Sequence, residues 1–341
     1  MSADPAMTRL IVRAPNWLGD AVMALPALAA IRRAFREQTL ILAAPVGIAP
    51  LFAETTAAAP DEILAIDRDR EAAQLRAARA DAVLLLTNSF GSAWVARRAG
   101  IRERWGYRAA GRGPLLTRGV ARPGRQVHQI EYYLALAHGL GIEAVQDPAA
   151  EPMLQPSPAA RVKAGTLLAS AGVEGTARIV GFAPGAAYGQ AKRWPPERVA
   201  QVIAGLARDG VTAVLLGAGA DRATGRAIES TLPPGVRVVN LIGRTSLREL
   251  IGIVARCAAF VSNDSGAMHV AAALGVPLTA IFGPTDERAT APGGPADVIL
   301  RDVFCRPCML RECPIDHRCM KRIDVDSVLN SVTAHLAGPR A

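Results

Sequence analysis

Apolar positions along the chain switch repeatedly between two spacings, and that switching is its main structural signal. Residues 9–13 form a short β-rich run; from Ala21, the positions Val22, Leu25, Leu28, Ala29 and Ile31 then recur at helical spacing up to Phe35. Strands are expected next at 40–43, 62–66 and 82–86, helices at 70–80 and 92–99 between them, and a further helix at 127–140. The second half repeats the plan, with a strand at 177–183, a proline-started helix at 195–209 and a strand at 211–216 so apolar that a central place is expected for it. A helix ending before Pro233, a strand at 236–240 and a helix from its cap Ser246 to Ala255 follow. Between 258 and 282 the pattern is clearest: an apolar run, small polar residues, a helix-compatible run at 267–274, Gly275, and a second apolar run at 277–282. That is strand, turn, helix, strand. A helix at 325–336 closes the chain.

Strands alternating with helices mean parallel sheets covered on both faces. A length of 341 residues leaves room for two cores. The expected architecture is therefore α/β, with two doubly wound Rossmann-like domains facing each other across a cleft. Their expected bounds are 1–146 and 159–341, joined by a proline-rich, aperiodic linker at 147–158.

Half the residues are apolar and a fifth are charged, an ordinary globular composition. No apolar leader core precedes Leu10, and the longest apolar runs, 21–31 and 268–282, are too short or too interrupted by Gly and Pro to span a bilayer. A cytoplasmic location is expected. The formal charge of +9 is uneven: nine arginines (Arg97, Arg98, Arg102, Arg104, Arg108, Arg112, Arg118, Arg122, Arg125) face the single acid Glu103. Such a surface attracts nucleic acid, anionic lipid or a phosphorylated sugar, unless it is simply a solvated face. No helix-turn-helix, RNA-recognition or OB pattern accompanies it, so nucleic acid is not an expected partner.

Candidate chemistry sits at the strand-to-helix turns. Asp264, Ser265 and Gly266 fall where a parallel strand ends and a helix begins, so helix N–H groups and the positive end of the dipole point toward an anion; helix capping alone is the competing reading. Asp20 lies at the first such turn, behind the loop Trp17-Leu18-Gly19, where it too is either a cap or a functional carboxylate. Lys192, one of three lysines, stands in a glycine-containing loop directly before Trp194 and a helix, where a flexible cation can reach a diphosphate or simply lie along the surface. Gly217-Ala218-Gly219 with Gly225 is a loose dinucleotide-type pattern whose third glycine comes too late. Cys305, Cys308, Cys313 and Cys319 are spaced C-x2-C-x4-C-x5-C with His317 among them, which leaves structural zinc and a reduced, redox-labile cluster both open. Cys257 reads as core.

Three separated stretches then carry a family resemblance: Pro15-Asn16-Trp17-Leu18-Gly19-Asp20-Ala21-Val22-Met23-Ala24-Leu25-Pro26; Ala183-Pro184-Gly185-Ala186-Ala187-Tyr188-Gly189-Gln190-Ala191-Lys192-Arg193-Trp194-Pro195; and Asn263-Asp264-Ser265-Gly266-Ala267-Met268-His269 with Phe282-Gly283-Pro284-Thr285. In these the chain resembles the ADP-heptose:lipopolysaccharide heptosyltransferases, most closely the type II group. The resemblance implies the GT-B architecture, with the acceptor bound by the first domain and the nucleotide sugar mainly by the second. It implies inverting transfer of heptose from ADP-heptose to the phosphorylated inner core of lipopolysaccharide at a membrane surface. It makes Asp20 the general base and Lys192 the phosphate-binding cation. It places Ala187, Tyr188, Asp264, Ser265, Gly266, Ala267 and His269 at the donor, with Asp221 toward the ribose. Arg104, Arg108 and Arg112 are expected to meet the acceptor. No cofactor is expected at the reacting centre, because the Asp-x-Asp pairs at 67–69 and 324–326 lie away from these motifs. A type I or other core transferase, and a nucleotide-sugar binder without chemistry, are the alternatives.

Overall fold

The computed structural model describes residues 7–143 and 152–338, so positions 147–151 of the expected linker lie outside the described residues. The chain divides into two compact units, 1–155 and 156–341. Among the described residues no helix is long and apolar enough to cross a membrane.

Unit 1 runs β1 (Arg9–Arg13), α1 (Leu18–Met23), α2 (Leu25–Ala34), β2 (Thr39–Pro45), β3 (Glu62–Ile66), α3 (Glu71–Ala77), β4 (Ala82–Leu85), α4 (Phe90–Arg98), β5 (Glu103–Tyr107), β6 (Arg118–Val120) and α5 (Gln129–Gly139). Every strand pairing is parallel, in the order β3-β2-β1-β4-β5-β6. Period-two alternation sends Ile11, Ile41, Val83 and Leu85 to one face, against Leu75 of α3 and Ala93 and Ala96 of α4. Leu10, Val12, Leu40 and Leu42 alternate with them and are also fully buried, so both faces are covered.

Unit 2 runs α6 (Pro158–Ser170), β7 (Ile179–Ala183), α7 (Pro196–Ala207), β8 (Thr212–Leu215), α8 (Arg222–Thr231), β9 (Val239–Asn240), α9 (Leu247–Val254), β10 (Ala259–Asn263), α10 (Gly266–Ala273), β11 (Leu278–Ile281), α11 (Glu287–Thr290), β12 (Ala296–Ile299), α12 (Arg318–Lys321) and α13 (Val325–Ala337). Its sheet is parallel too, in the order β12-β11-β10-β7-β8-β9, the same winding as unit 1. Val180 and Phe182 pack toward α7 and α13, while Ile179 and Ala183 pack toward α6, α9 and α10.

The departures from the sequence reading have local causes. The expected helix 21–35 is two helices, because Pro26 lacks the N–H an uninterrupted helix needs and instead sits in the first turn of α2. β5 and β6 fall inside the arginine-rich stretch, whose charged side chains hide the strand period. The strand at 211–216, β8, is next to the edge strand rather than central. Its apolarity reflects burial on both faces, Ala213 and Leu215 in one core and Val214 in the other. Pro158, read as the end of the linker, opens α6 behind the cap Ser157.

Candidate active site

In a doubly wound sheet the crevice for a ligand opens where strand order reverses, beyond the carboxyl ends of two neighbouring strands that wind away from each other. In unit 2 those strands are β7 and β10. The loop after β7 carries Lys192 and the turn after β10 carries Asp264, and the two side chains meet: Lys192 Nζ donates to Asp264 Oδ2 at 2.5 Å, with both residues buried. Thr285, beyond β11, donates its hydroxyl to the same oxygen at 2.6 Å. Asp264 therefore belongs to an ion pair across the switch point. At the helix N-cap, Ser265 makes no side-chain cap bond; its hydroxyl lies 3.1 Å from that of Ser262. The first turn of α10, at Gly266 and Ala267, is half-buried and directs its amides outward. His269 is buried one turn further along.

Asn263 holds the Lys192 loop at both ends, donating Nδ2–H to Pro184 O at 2.7 Å and accepting Trp194 N–H at 3.3 Å. Tyr188 lies with its ring 4.8 Å from Lys192 Nζ and 5.2 Å from the Arg311 guanidinium, and its hydroxyl donates to Met309 O at 2.7 Å. Ala187 is exposed on the same loop. Two glycines here are set by close approach: a Cβ on Gly189 would lie 2.3 Å from Arg311 O, and one on Gly185 would lie 2.2 Å from the Asp221 carboxyl carbon. Asp221 itself is buried, pairs with Arg193 at 3.0 Å and accepts from Ala218 N–H at 3.2 Å.

The cysteine-rich segment is thus the backing of this loop, since Met309 and Arg311 provide its main-chain contacts and Ala191 N–H donates to Arg311 O at 3.0 Å. Its four cysteines are free thiols, and among the described residues no group of three or more His, Cys, Asp or Glu side chains is placed to hold a metal ion. His317 keeps a buried Nε2 without a hydrogen-bond partner, while Cys313 Sγ accepts from the His317 main chain at 3.3 Å. Cys257, in the core, has its thiol pushed up to about 12 by burial. Of the two Asp-x-Asp pairs, Asp67 accepts from Asp69 N–H in a turn at 3.2 Å, and Asp324 caps α13, where Ser327 and Arg301 hold its carboxyl well below the usual range.

In unit 1 the order reverses between β1 and β4. Asp20 lies in the first turn of α1, behind Trp17 at the N-cap, which makes no side-chain cap bond. Tyr133 of α5 donates its hydroxyl to Asp20 Oδ1 at 3.4 Å, and Gln129 hydrogen-bonds the same hydroxyl. Burial, and then the Asp20 charge, push the Tyr133 phenol well above its ordinary value. This tyrosine carried no mark in the sequence beyond its place on a helix.

The three expected acceptor arginines separate. Arg112 has no exposed surface; its guanidinium donates to Tyr107 O at 2.8 Å and to Thr87 O, and desolvation lowers it to about 10. From the loop after β5 it ties the end of β5 to the segment that follows β4, which corrects its assignment to an acceptor surface. Arg104 is half-buried and clamps main-chain oxygens of Leu115 at 2.7 Å and Ile101 at 2.6 Å. Arg108 is exposed over β6.

Two like-wound Rossmann sheets, one with a buried lysine and an open helix N-terminus at its switch point, define a glycosyltransferase of the GT-B class. The chain belongs to glycosyltransferase family 9 (heptosyltransferase), whose model matches residues 68–318. It is 32% identical over 296 residues, 83% of this chain and 85% of the relative, to lipopolysaccharide heptosyltransferase 2 of Salmonella typhimurium. The solved structure of Escherichia coli ADP-heptose LPS heptosyltransferase II matches with a TM-score of 0.84 and 29% identity, covering 97% of this chain and 99% of that one. The E. coli heptosyltransferase WaaC with ADP shares the fold at a TM-score of 0.71 and 19% identity, over 96% and 100% of the two chains.

Proposed function

We propose that this enzyme transfers heptose from ADP-L-glycero-D-manno-heptose to the inner core of lipopolysaccharide, in the manner of heptosyltransferase II, with inversion at the anomeric carbon. The observation that carries the reading is the Lys192–Asp264 pair beside the uncapped start of α10, a cation and helix amides where a nucleotide diphosphate leaves. In this reading unit 2 holds the donor and unit 1 the acceptor. An acceptor hydroxyl attacks the anomeric carbon, its proton passes to Asp20, and the bond from that carbon to the diphosphate oxygen breaks as charge collects on ADP opposite Lys192. A positioned base contributes roughly 10²- to 10⁴-fold. No divalent ion is assigned to the leaving group, so initial rates should survive EDTA; loss of activity restored by Mg²⁺ would contradict this.

Asp264 then exchanges part of its bonding with Lys192 for sugar hydroxyls, while Ser265, Gly266, Ala267 and His269 line the turn. The Arg193 pair makes Asp221 a support for Gly185 more than a ribose ligand. Cytoplasmic placement at the inner face of a membrane follows from an acceptor anchored there. The test is a transfer assay with ADP-heptose against heptosyl-Kdo2-lipid A and Kdo2-lipid A in parallel. Product from the first alone supports type II, product from the second alone moves the chain to type I, and none from either leaves a nucleotide-sugar binder.

A further inference from the structure

Three of the exposed large apolar side chains in unit 1 are aromatic and leave the sheet at one edge. Trp17, 58% exposed, stands in the loop after β1. Phe90, 49% exposed, and Trp94, 45% exposed, lie on α4, which follows β4. Because β1 and β4 are parallel neighbours, both connections leave from their carboxyl edge. Phe90 and Trp94 are four residues apart, one helical turn, and stack with ring centroids 6.4 Å apart and planes 16° from parallel. Arg97 and Arg98 extend the same exposed stripe, while Ala93 and Ala96 hold the opposite side of α4 against the sheet. From Ser89 to Arg102 there is no acidic residue.

Two stacked aromatics on a water-facing helix leave a contiguous apolar surface in water; single exposed apolar residues are ordinary, but a contiguous aromatic pair is not. Trp and Phe partition into the headgroup and upper acyl region of a bilayer, and arginine beside them pairs with anionic headgroups. We propose that the α4 stripe Phe90-Trp94-Arg97-Arg98 is the surface by which the enzyme docks on an anionic lipid bilayer. The occupant follows from charge complementarity, since a helical segment that carries exposed aromatics and arginines and no acid of its own from Ser89 to Arg102 suits a negatively charged interface. A stripe at the carboxyl edge of β4, next to the turn that carries Asp20, brings the acceptor end of unit 1 to the lipid. The proposal rests on the acceptor being membrane-anchored, yet its first test does not depend on transfer.

The full-length protein is sedimented with phosphatidylcholine vesicles, with and without phosphatidylglycerol. Binding should require the anionic lipid and fall with salt. Trp105 and Trp194 are buried, so a blue shift on binding, with quenching by brominated acyl chains, reports Trp17 and Trp94. The double variant Phe90→Ala/Trp94→Ala should weaken binding at least tenfold, and Arg97→Gln and Arg98→Gln should each weaken it about fivefold. ADP affinity should be unchanged in all of them, and a far-UV circular dichroism spectrum and denaturation midpoint matching the wild type show that unit 1, which carries the substitutions, is folded. Equal binding to neutral vesicles, or no loss in the aromatic double variant, would overturn the proposal. So would a lipid-free, concentration-dependent dimer that the same variants abolish, since the occupant would then be a second copy. Rates on vesicle-embedded acceptor should fall in the double variant while those on a deacylated, water-soluble acceptor do not. Vesicle binding without transfer to either acceptor would refute the proposed reaction and leave the docking surface standing.

Discussion

The two switch points have the same strand order and opposite chemistry. In unit 2 the loops after β7 and β10 are tied to each other by a buried ion pair, so the site is assembled and charged before any ligand arrives. In unit 1 the turn after β1 carries a half-buried carboxylate steadied from a later helix, and the loop after β4 leads into exposed aromatics. A leaving diphosphate always has the same charge and shape, so a rigid, pre-paired site suits it. As the proposed proton acceptor, Asp20 would have to stay accessible to the hydroxyl it serves, and the long hydrogen bond from Tyr133 is compatible with that.

The sharpest way to break this contrast is to remove one charge from each site. Lys192→Met leaves the buried Asp264 carboxylate with only the Thr285 hydroxyl, and stranding one partner of a buried pair costs about 3–5 kcal/mol. Chemical denaturation should show a loss of that size together with lost ADP binding. Asp20→Asn keeps the size of the side chain and removes its basicity. It should lower kcat by roughly 10² or more with ADP affinity and stability little changed. If both variants lost stability equally, the two sites would be alike in construction and the contrast would fail.

Tyr133→Phe probes the smaller coupling within unit 1. Losing the donated hydrogen bond should cut kcat several-fold with ADP affinity unchanged. The same phenol, with those of Tyr107 and Tyr132, is raised above 10.0 mainly by burial. A raised folded value contributes stability that is intact below 10.0 and is lost as pH climbs through it toward the folded values. Alkaline unfolding followed by circular dichroism should therefore begin above about pH 10 and be less steep in Tyr133→Phe; an unchanged slope would mean that this phenol does not drive it.

The fold was legible where burial alone writes the pattern. β1, β7, β10 and α13 read cleanly because their apolar positions face a core on schedule. β5 and β6 did not, because Glu103, Arg104 and Arg118 put charge at the sheet margin, where one side of the strand meets solvent. Lys192 and Asp264 could be singled out separately by their turns, but their bond spans 72 residues, and no local spacing encodes it. Arg112 misled for a related reason: a guanidinium bonded to main-chain oxygens looks, in sequence, like any member of a basic run. Gly185 and Gly189 are clearer in hindsight, since each marks a place where another side chain or main chain comes too close for a Cβ.

The smallest expected effect separates the arginines that face solvent from those that hold the fold. Arg108 is exposed, so Arg108→Ala should leave denaturation and ADP binding unchanged and raise the KM for the phosphorylated acceptor only a few-fold at low salt. Its contribution should fade as salt screens it, so the variant and the wild type should converge at high ionic strength. Arg112→Ala should behave in the opposite way. It leaves the Tyr107 and Thr87 carbonyls without their buried donor, so it should cost on the order of 1–3 kcal/mol of stability, insensitive to salt. A salt-dependent KM effect in Arg112→Ala with stability intact would return that residue to the acceptor surface. A salt-independent loss in Arg108→Ala would instead make the exposed arginine structural, and the basic stretch would then have to act on the acceptor through its other exposed members, Arg97, Arg98, Arg102, Arg122 and Arg125.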